Sequence, residues 1–544
     1  MRTQDAVTTA SSSSHTGLLV AALAGLAVVV VLAFAVVPRW LHPKQQLLSS
    51  WRVLEPWMWW RATTSQLCGF WPFGVGSGVP RWGAPIGVHQ RTGATIACDP
   101  ISYFLTGLIS NPSMFLMGKP GLGKSTLVAR MILALNFMGI HTMVLGDLKP
   151  DYVDVVRAIG GQIIRLGRGR GHLNILDHDY AVRWATAKEL VSVTSEDGES
   201  WWPEYHFVLP EKDRLEILSD VHGRRKNGVL SLLNITRHRP PTERETNILD
   251  RALVLLFANW VGPAVPVLRD LLQVIESAPK ELRAVALDHG SMKRYREQTD
   301  ALVASLRSLS DGGGLGDIFS QRTDVEMMMD RSVCFDVSSI DHTDDEIQAA
   351  ALLAIWNLGF GKVELQQQLA DLGLVKRQNY LVVMDELWRA LRMGKGMVDR
   401  MDASTRLNRT QGIGLMFVTH TLKDLDSVAD KADRKKALGI PERCGIVGLF
   451  GLPRSEMRAL RKVVRVSRAE ENDIVSWSEP PSWDQETGAE AEPPGLGLAY
   501  IKVSGRGGLP VHIRLTDEEK NLHNTNQRWE RLAKTDHGHH KVAA

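Results

Sequence analysis

Cysteine is scarce in this chain of 544 residues: Cys68, Cys98, Cys334 and Cys444 are the only four, and no two stand at a metal-ligand spacing. A disulfide scaffold and a cysteine-based zinc site are both poorly supported, and thiols kept reduced fit better. An excess of one charge is missing too. Lys+Arg number 64 and Asp+Glu 61, a net of +3, which argues against a polybasic, histone-like binder while allowing local basic patches. Long internal repeats are absent. What is there is ordinary globular material, 44% apolar and 23% charged, so wholesale disorder is excluded. The length suits about three or four folding units of roughly 150 residues.

One long apolar run breaks that ordinary pattern. Gly17 to Val37 holds only apolar residues and glycine, and as a helix it would extend about 31 Å, enough to cross a bilayer core. Arg39, Lys44 and Arg52 follow it, and a basic excess on that side predicts a cytoplasmic orientation for everything downstream. A cleaved signal peptide fits less well, because the charge bias is reversed and the run is too long. Seven of the sixteen tryptophans, Trp40, Trp51, Trp57, Trp59, Trp60, Trp71 and Trp82, crowd the stretch after it. Indole rings favour the headgroup region, and an aromatic core for a small subdomain explains them equally well.

The chemistry begins at residue 113. Ser113-Met-Phe-Leu-Met117 is a short apolar strand, and it runs into Gly118-Lys119-Pro120-Gly121-Leu122-Gly123-Lys124-Ser125-Thr126 and then a helix former, Leu127 to Phe137. This is G-x-x-x-x-G-K-S in strand–loop–helix context, the pattern of a phosphate cradle. The glycines let backbone N–H groups wrap phosphates, and the helix N-terminus adds positive dipole. Lys124 is expected on the β- and γ-phosphates and the Ser125 hydroxyl on Mg²⁺. A second buried strand, Tyr380-Leu-Val-Val-Met384, ends in Asp385-Glu386. Asp385 is expected to complete the metal shell and Glu386 to polarise the attacking water. A third, Gly412 to His420, ends in Thr419-His420, either of which is placed to sense the γ-phosphate. No lysine follows Asn or Thr, so the signature of guanine-specific P-loop proteins is absent and ATP is preferred by elimination.

Strands Ile140 to Leu145 and Gln162 to Leu166 alternate with helices, which predicts a parallel α/β sheet with ligands at the C-terminal strand ends. From about Tyr180 helical periods dominate, with a capping box at Thr242 and Glu245. This stretch carries two basic clusters, His222-Gly-Arg-Arg-Lys226 and Arg237-His-Arg239, as candidate nucleic-acid contacts. Leu498 to Val503 and Leu509 to Leu515 read as a hairpin, and Thr516-x-x-Glu519 as a helix start. The organisation expected is a short extracytoplasmic tail (1–16), a transmembrane helix (17–37), a Trp-rich juxtamembrane region (38–109), the first part of an ATPase core (110–179), a helical insertion (180–330) and the second part of the core (331–470). An acidic, Pro-rich loop (471–497) and a C-terminal hairpin, helix and tail (498–544) complete it.

Together these motifs resemble the HerA/FtsK superfamily of P-loop motor ATPases, nearest to the TraC-type ATPases of conjugation and type IV secretion. The resemblance is carried by Gly118 to Thr126, by Asp147-Leu-Lys-Pro-Asp-Tyr152, by Gly160 to Gly167 leading to Leu173-Asn-Ile-Leu-Asp177, by Val383-Met-Asp-Glu-Leu-Trp388, and by Gly505 to Glu519. It covers roughly residues 110–530. Two departures stand out. The third motif ends in Thr419-His420 where Thr-Gln is common, and an N-terminal anchor is more typical of TraG-type coupling proteins and FtsK-like DNA pumps. The resemblance implies a RecA-like fold, Mg²⁺-dependent ATP hydrolysis and a homo-hexameric ring. It further implies conjugation or secretion channel proteins as partners, with DNA left open as another, and an arginine donated between subunits, Arg409 or Arg406. The expectation is thus a membrane-anchored ATPase with Lys124, Glu386, Arg409 and His420 as catalytic residues. A coupling protein that translocates DNA directly is the alternative.

Overall fold

The computed structural model of the chain describes residues 80–186, 209–261, 264–311, 314–341, 343–393, 397–428, 430–483 and 491–522. Among these, eleven strands form one sheet: β1 (Pro85–His89), β2 (Thr95–Ala97), β3 (Ser113–Met117), β4 (His141–Asp147), β5 (Gln162–Arg165), β6 (Val333–Asp336), β7 (Tyr380–Met384), β8 (Ile413–Thr419), β9 (Ile446–Leu449), β10 (Leu498–Val503) and β11 (Leu509–His512). Their spatial order is β2-β1-β11-β10-β9-β3-β8-β7-β4-β6-β5. From β9 to β5 every pairing is parallel, and from β10 to β2 every pairing is antiparallel. The parallel strands are the ones that read as unbroken apolar runs, as strands covered on both faces should.

Side chains alternate across the sheet, so each strand feeds two cores. Phe115, Met117, Val382, Met384, Leu415 and Phe417 face one layer, and Met114, Leu116, Leu381, Val383, Met416 and Val418 the other. The second layer is built on the helix Lys124–Phe137, through Leu127, Val128, Met131 and Ile132. The first is built on the helix Asp345–Asp371, which is buried along nearly its whole length. A helix apolar all round must be covered on every side, and the seven helices described between Asp179 and Phe319, inserted between β5 and β6, supply the outer cover.

That helix sits close to the sheet because two glycines let it. Trp356 Nε1 donates to the carbonyl of Leu145, 2.9 Å away, and a side chain on Gly359 would meet Leu145 at 2.9 Å. A side chain on Gly146 would meet Leu352 Cδ2 at 2.1 Å. Gly146 also has φ 112, and here the β4 ladder with β6 slips, between Val144 and Asp147. Such a bulge re-aims the residue after it, in this case Asp147.

Four expectations change. The single-pass membrane localisation is corrected: no helix among the described residues is long and apolar enough to cross a membrane. The run 17–37 on which it rested lies outside them, as does most of the Trp-rich stretch. Residues 80–109, read as juxtamembrane, instead supply β1, β2 and the helix Pro100–Leu105, and β1 pairs with β11 in the main sheet. Alternation in Pro85–His89 is weak, so no period marked it as a strand. The stretch 471–497 does not start as loop: the helix Arg468–Ser476 occupies its beginning, capped by a Ser467–Glu470 box. Finally, the basic cluster of 222–226 is not a free patch. Arg224 pairs with Glu364, Lys226 and His222 both reach Asp250, and Arg225 is buried against the Phe257 ring with its Nε on the Leu176 carbonyl. Arg237 likewise pairs with Glu245 at 2.7 Å. A helical period brings these cations onto inward faces, which a cluster read along the sequence conceals.

Candidate functional site

The loop from Gly118 to Gly123 leaves the end of β3 and turns into the helix that begins at Lys124. Two of its residues need glycine for conformation: Gly121 at φ 77 and Gly123, the helix N-cap, at φ 100. Gly118 is needed for space, since a Cβ there would lie 2.4 Å from Phe450 Cβ. The loop is braced from far along the chain. Lys119 N donates to Gly451 O at 3.0 Å and its Nζ to Ser478 O at 2.7 Å, while Gly497 N donates to Leu122 O at 3.1 Å. Pro120 and Gly121 form an exposed crest, and Ser125 and Thr126 are half-buried on the first helical turn.

Lys124 is buried, and its amino group donates to the carbonyls of Gly118 (2.6 Å) and Lys119 (2.9 Å). Burial lowers its pKa to about 8, against the opposing pull of Asp385 and Glu386. The charged form therefore dominates below pH 8 and declines above it. Nucleotide affinity, measured without divalent cation so that only the cradle is probed, is expected to fall as pH rises beyond about 8. A flat affinity from pH 7 to 9.5 would show that Lys124 does not carry the phosphate contact.

Two strands away, β7 delivers the acidic pair, with β8 lying between it and β3. Asp385 Oδ1 accepts from Glu386 N (2.8 Å) and Oδ2 from the Tyr152 hydroxyl (2.7 Å). Burial and then the neighbouring Glu386 push its pKa up to about 6, with the Tyr152 hydrogen bond opposing. Glu386 is buried at φ 50, the left-handed region, a conformation that costs a non-glycine residue of order 1 kcal/mol or more. Its Oε1 accepts from Lys149 Nζ (3.0 Å) and faces His420 Nε2 (3.1 Å), and its Oε2 accepts from Trp388 Nε1 (2.7 Å). Burial raises its pKa, but His420, Lys149 and Trp388 outweigh that and hold the carboxylate well below its usual range.

The structure thus brings His420 to Glu386, whereas Thr419 Oγ1 turns to Asp424 (3.3 Å), the residue that caps the next helix. Arg409 is exposed in the turn preceding β8, at the end of the sheet opposite Glu386, and makes no hydrogen bond or ion pair among the described residues. Arg406 is tied to Asp402 at 3.0 Å. Three participants were not singled out as site residues from sequence: Lys149, Tyr152 and Trp388. The first two lie in Asp147-Leu-Lys-Pro-Asp-Tyr152, whose signal was its place at the end of a strand. Only the adjacency of β4 and β7 reveals what that place means.

The residues fit a magnesium nucleotide. The glycine conformations leave backbone N–H groups unblocked around the loop, Lys124 and the helix N-terminus supply positive charge, and the Ser125 hydroxyl with the Asp385 carboxylate is a hard-oxygen donor set.

No family model and no curated protein matches the chain. Solved structures do. VirB4 of Thermoanaerobacter pseudethanolicus is similar with a TM-score of 0.57 at 16% identity, over 82% of this chain and 100% of that one, and so shares its fold. The plasmid coupling protein TrwB in complex with an ATP analogue gives a TM-score of 0.42 at 13% identity, over 81% and 96% of the two chains. TrwB in complex with ADP and Mg²⁺ gives 0.40 at 13%, over 76% and 88%.

Proposed function

We propose that this chain is a Mg²⁺-dependent ATP hydrolase that powers conjugative DNA transfer or type IV secretion, in the manner of a TraC- or VirB4-type motor. The observation that carries the reading is the placement of Glu386. A scaffold that only bound nucleotide would need the cradle and Asp385. It would have no use for a second carboxylate, buried in a strained conformation and aimed by three side chains. The resemblance in sequence and the fold shared with VirB4 support the choice of motor class.

In this reading Lys124 and the loop N–H groups hold the phosphates. Ser125 and Asp385 hold the cation, which when bound neutralises charge developing on the transferred phosphoryl group. Glu386 orients a water and accepts its proton, and His420 lies against the same carboxylate, where it can register the γ-phosphate. Arg409, exposed and without a partner among the described residues, is offered to a neighbour in a ring, and Arg406 is held by Asp402.

The decisive assay is ATP turnover by the purified protein, with and without single- and double-stranded DNA, beside a Lys124→Ala control. Turnover that needs Lys124 and is indifferent to DNA is the expected result. Strong stimulation by DNA would favour a coupling protein that moves DNA itself. In the same assay Arg409→Ala is expected to depress turnover about 10³-fold or more with nucleotide binding retained; unchanged turnover would remove Arg409 from the site.

A further inference from the structure

One cation at this site has no task in the scheme above. Lys149 lies in the turn after β4, three strands from β3, so its backbone is roughly 14 Å from the cradle strand at ordinary strand spacing. Its side-chain partner is Glu386. The base of that turn is fixed: Asp147 is buried and accepts from the N–H groups of Asp151 and Tyr152, and Tyr152 is buried with its hydroxyl on Asp385. The tip is loose by comparison, for the Lys149 side chain is 53% exposed whereas that of Glu386 is 9%.

Glu386 meanwhile has little left to offer a water. A carboxylate has about four acceptor sites, and Lys149, His420 and Trp388 take three. His420 comes from β8 on one flank of β7 and Lys149 from β4 on the other, and of the two the lysine is the more exposed.

We infer that Lys149 is a positioning residue that restrains the Glu386 carboxylate in the resting site, and that turnover requires the lysine to let go. This rests on the ATPase reading and names the regulation of the same site. A solvent-exposed tether is weak enough to be broken and remade in every cycle, and its position at the tip of an anchored turn lets it swing without moving Asp385.

The test is steady-state ATP hydrolysis by Lys149→Met and Lys149→Arg in the full-length chain, with Glu386→Gln alongside. Lys149→Met is expected to raise kcat about three- to five-fold with the KM for ATP unchanged. Five-fold corresponds to about 1 kcal/mol. Lys149→Arg is expected to restore the restraint and bring kcat back toward wild type. A merely structural lysine would lower kcat in both variants or shift KM. An unchanged or lowered kcat in Lys149→Met, with nucleotide binding intact, overturns the inference while leaving the ATPase reading standing. Turnover by Glu386→Gln equal to wild type overturns that reading itself, whatever Lys149 does.

Discussion

Glu386→Gln is expected to cut ATP turnover by about 10²- to 10⁴-fold, the range for removing a general base, while nucleotide affinity changes by less than a few-fold. Glutamine keeps the size and reach of the side chain and can keep its bond to Trp388. What it loses is the charge and the capacity to take a proton. The hydrogen bonds of the cradle are untouched, because Lys124 bonds the carbonyls of Gly118 and Lys119 in the loop after β3, across β8 from Glu386. The variant should therefore retain bound, unhydrolysed ATP, and single-turnover measurement beside equilibrium binding reads both quantities. A fall of less than ten-fold would show that water is activated elsewhere, and His420 would be the next group to replace.

Gly146→Val is expected to destabilise the fold by about 2–6 kcal/mol, the sum of backbone strain of about 1–3 kcal/mol and overpacking of similar size. Two separate objections meet at this residue. Its φ of 112 is one that a β-branched residue scarcely adopts, and its missing Cβ would fall on Leu352 in the fully packed layer. The consequence reaches the site, because Gly146 precedes Asp147, and Asp147 fixes the turn that carries Lys149 and Tyr152. Urea unfolding of Gly146→Ala, Leu352→Ala and the double variant separates the two objections. Shortening Leu352 should relieve the collision and leave the dihedral cost. If the single Gly146→Ala is as stable as wild type, neither objection holds.

The sequence exposed those parts of the molecule that a strand-end motif or a period could mark. The cradle, Asp385, Glu386 and the parallel strands were legible because each pairs an unbroken apolar run with polar residues at its end. The Leu498–His512 hairpin was legible from its glycine-rich turn. The wing formed by β1 and β2 was not. Its strands are short, one holds a glycine pressed against His512, and β1 meets the main sheet through β11, with Val88 against His512, about as non-local as a pairing can be. Lys149 and Tyr152 were visible as letters in a motif but not as neighbours of the acidic pair. Sequence order puts them more than 230 residues from it, and only strand order puts them beside it. The basic run at 222–226 failed in the opposite sense: adjacency along the chain suggested a surface patch, and the fold buries Arg225 while pairing the others with Glu364 and Asp250.

The braces on the phosphate loop bear on how the protein is made. Lys119 waits for a partner 359 residues downstream, and β1 waits for β11. At a bacterial-to-eukaryotic synthesis rate of about 5–20 residues per second, that separation is roughly 20–70 s on the ribosome. For most of that interval the nascent chain carries the whole cradle motif and its helix with β3 lacking its neighbours, since β8 ends at Thr419 and β9 at Leu449. Its apolar edges are open to any other strand in reach, which is the period of greatest exposure to misassembly. The cradle is consequently braced late, when the last hairpin closes, and a truncated chain released before Ser478 carries the motif without the Lys119 brace.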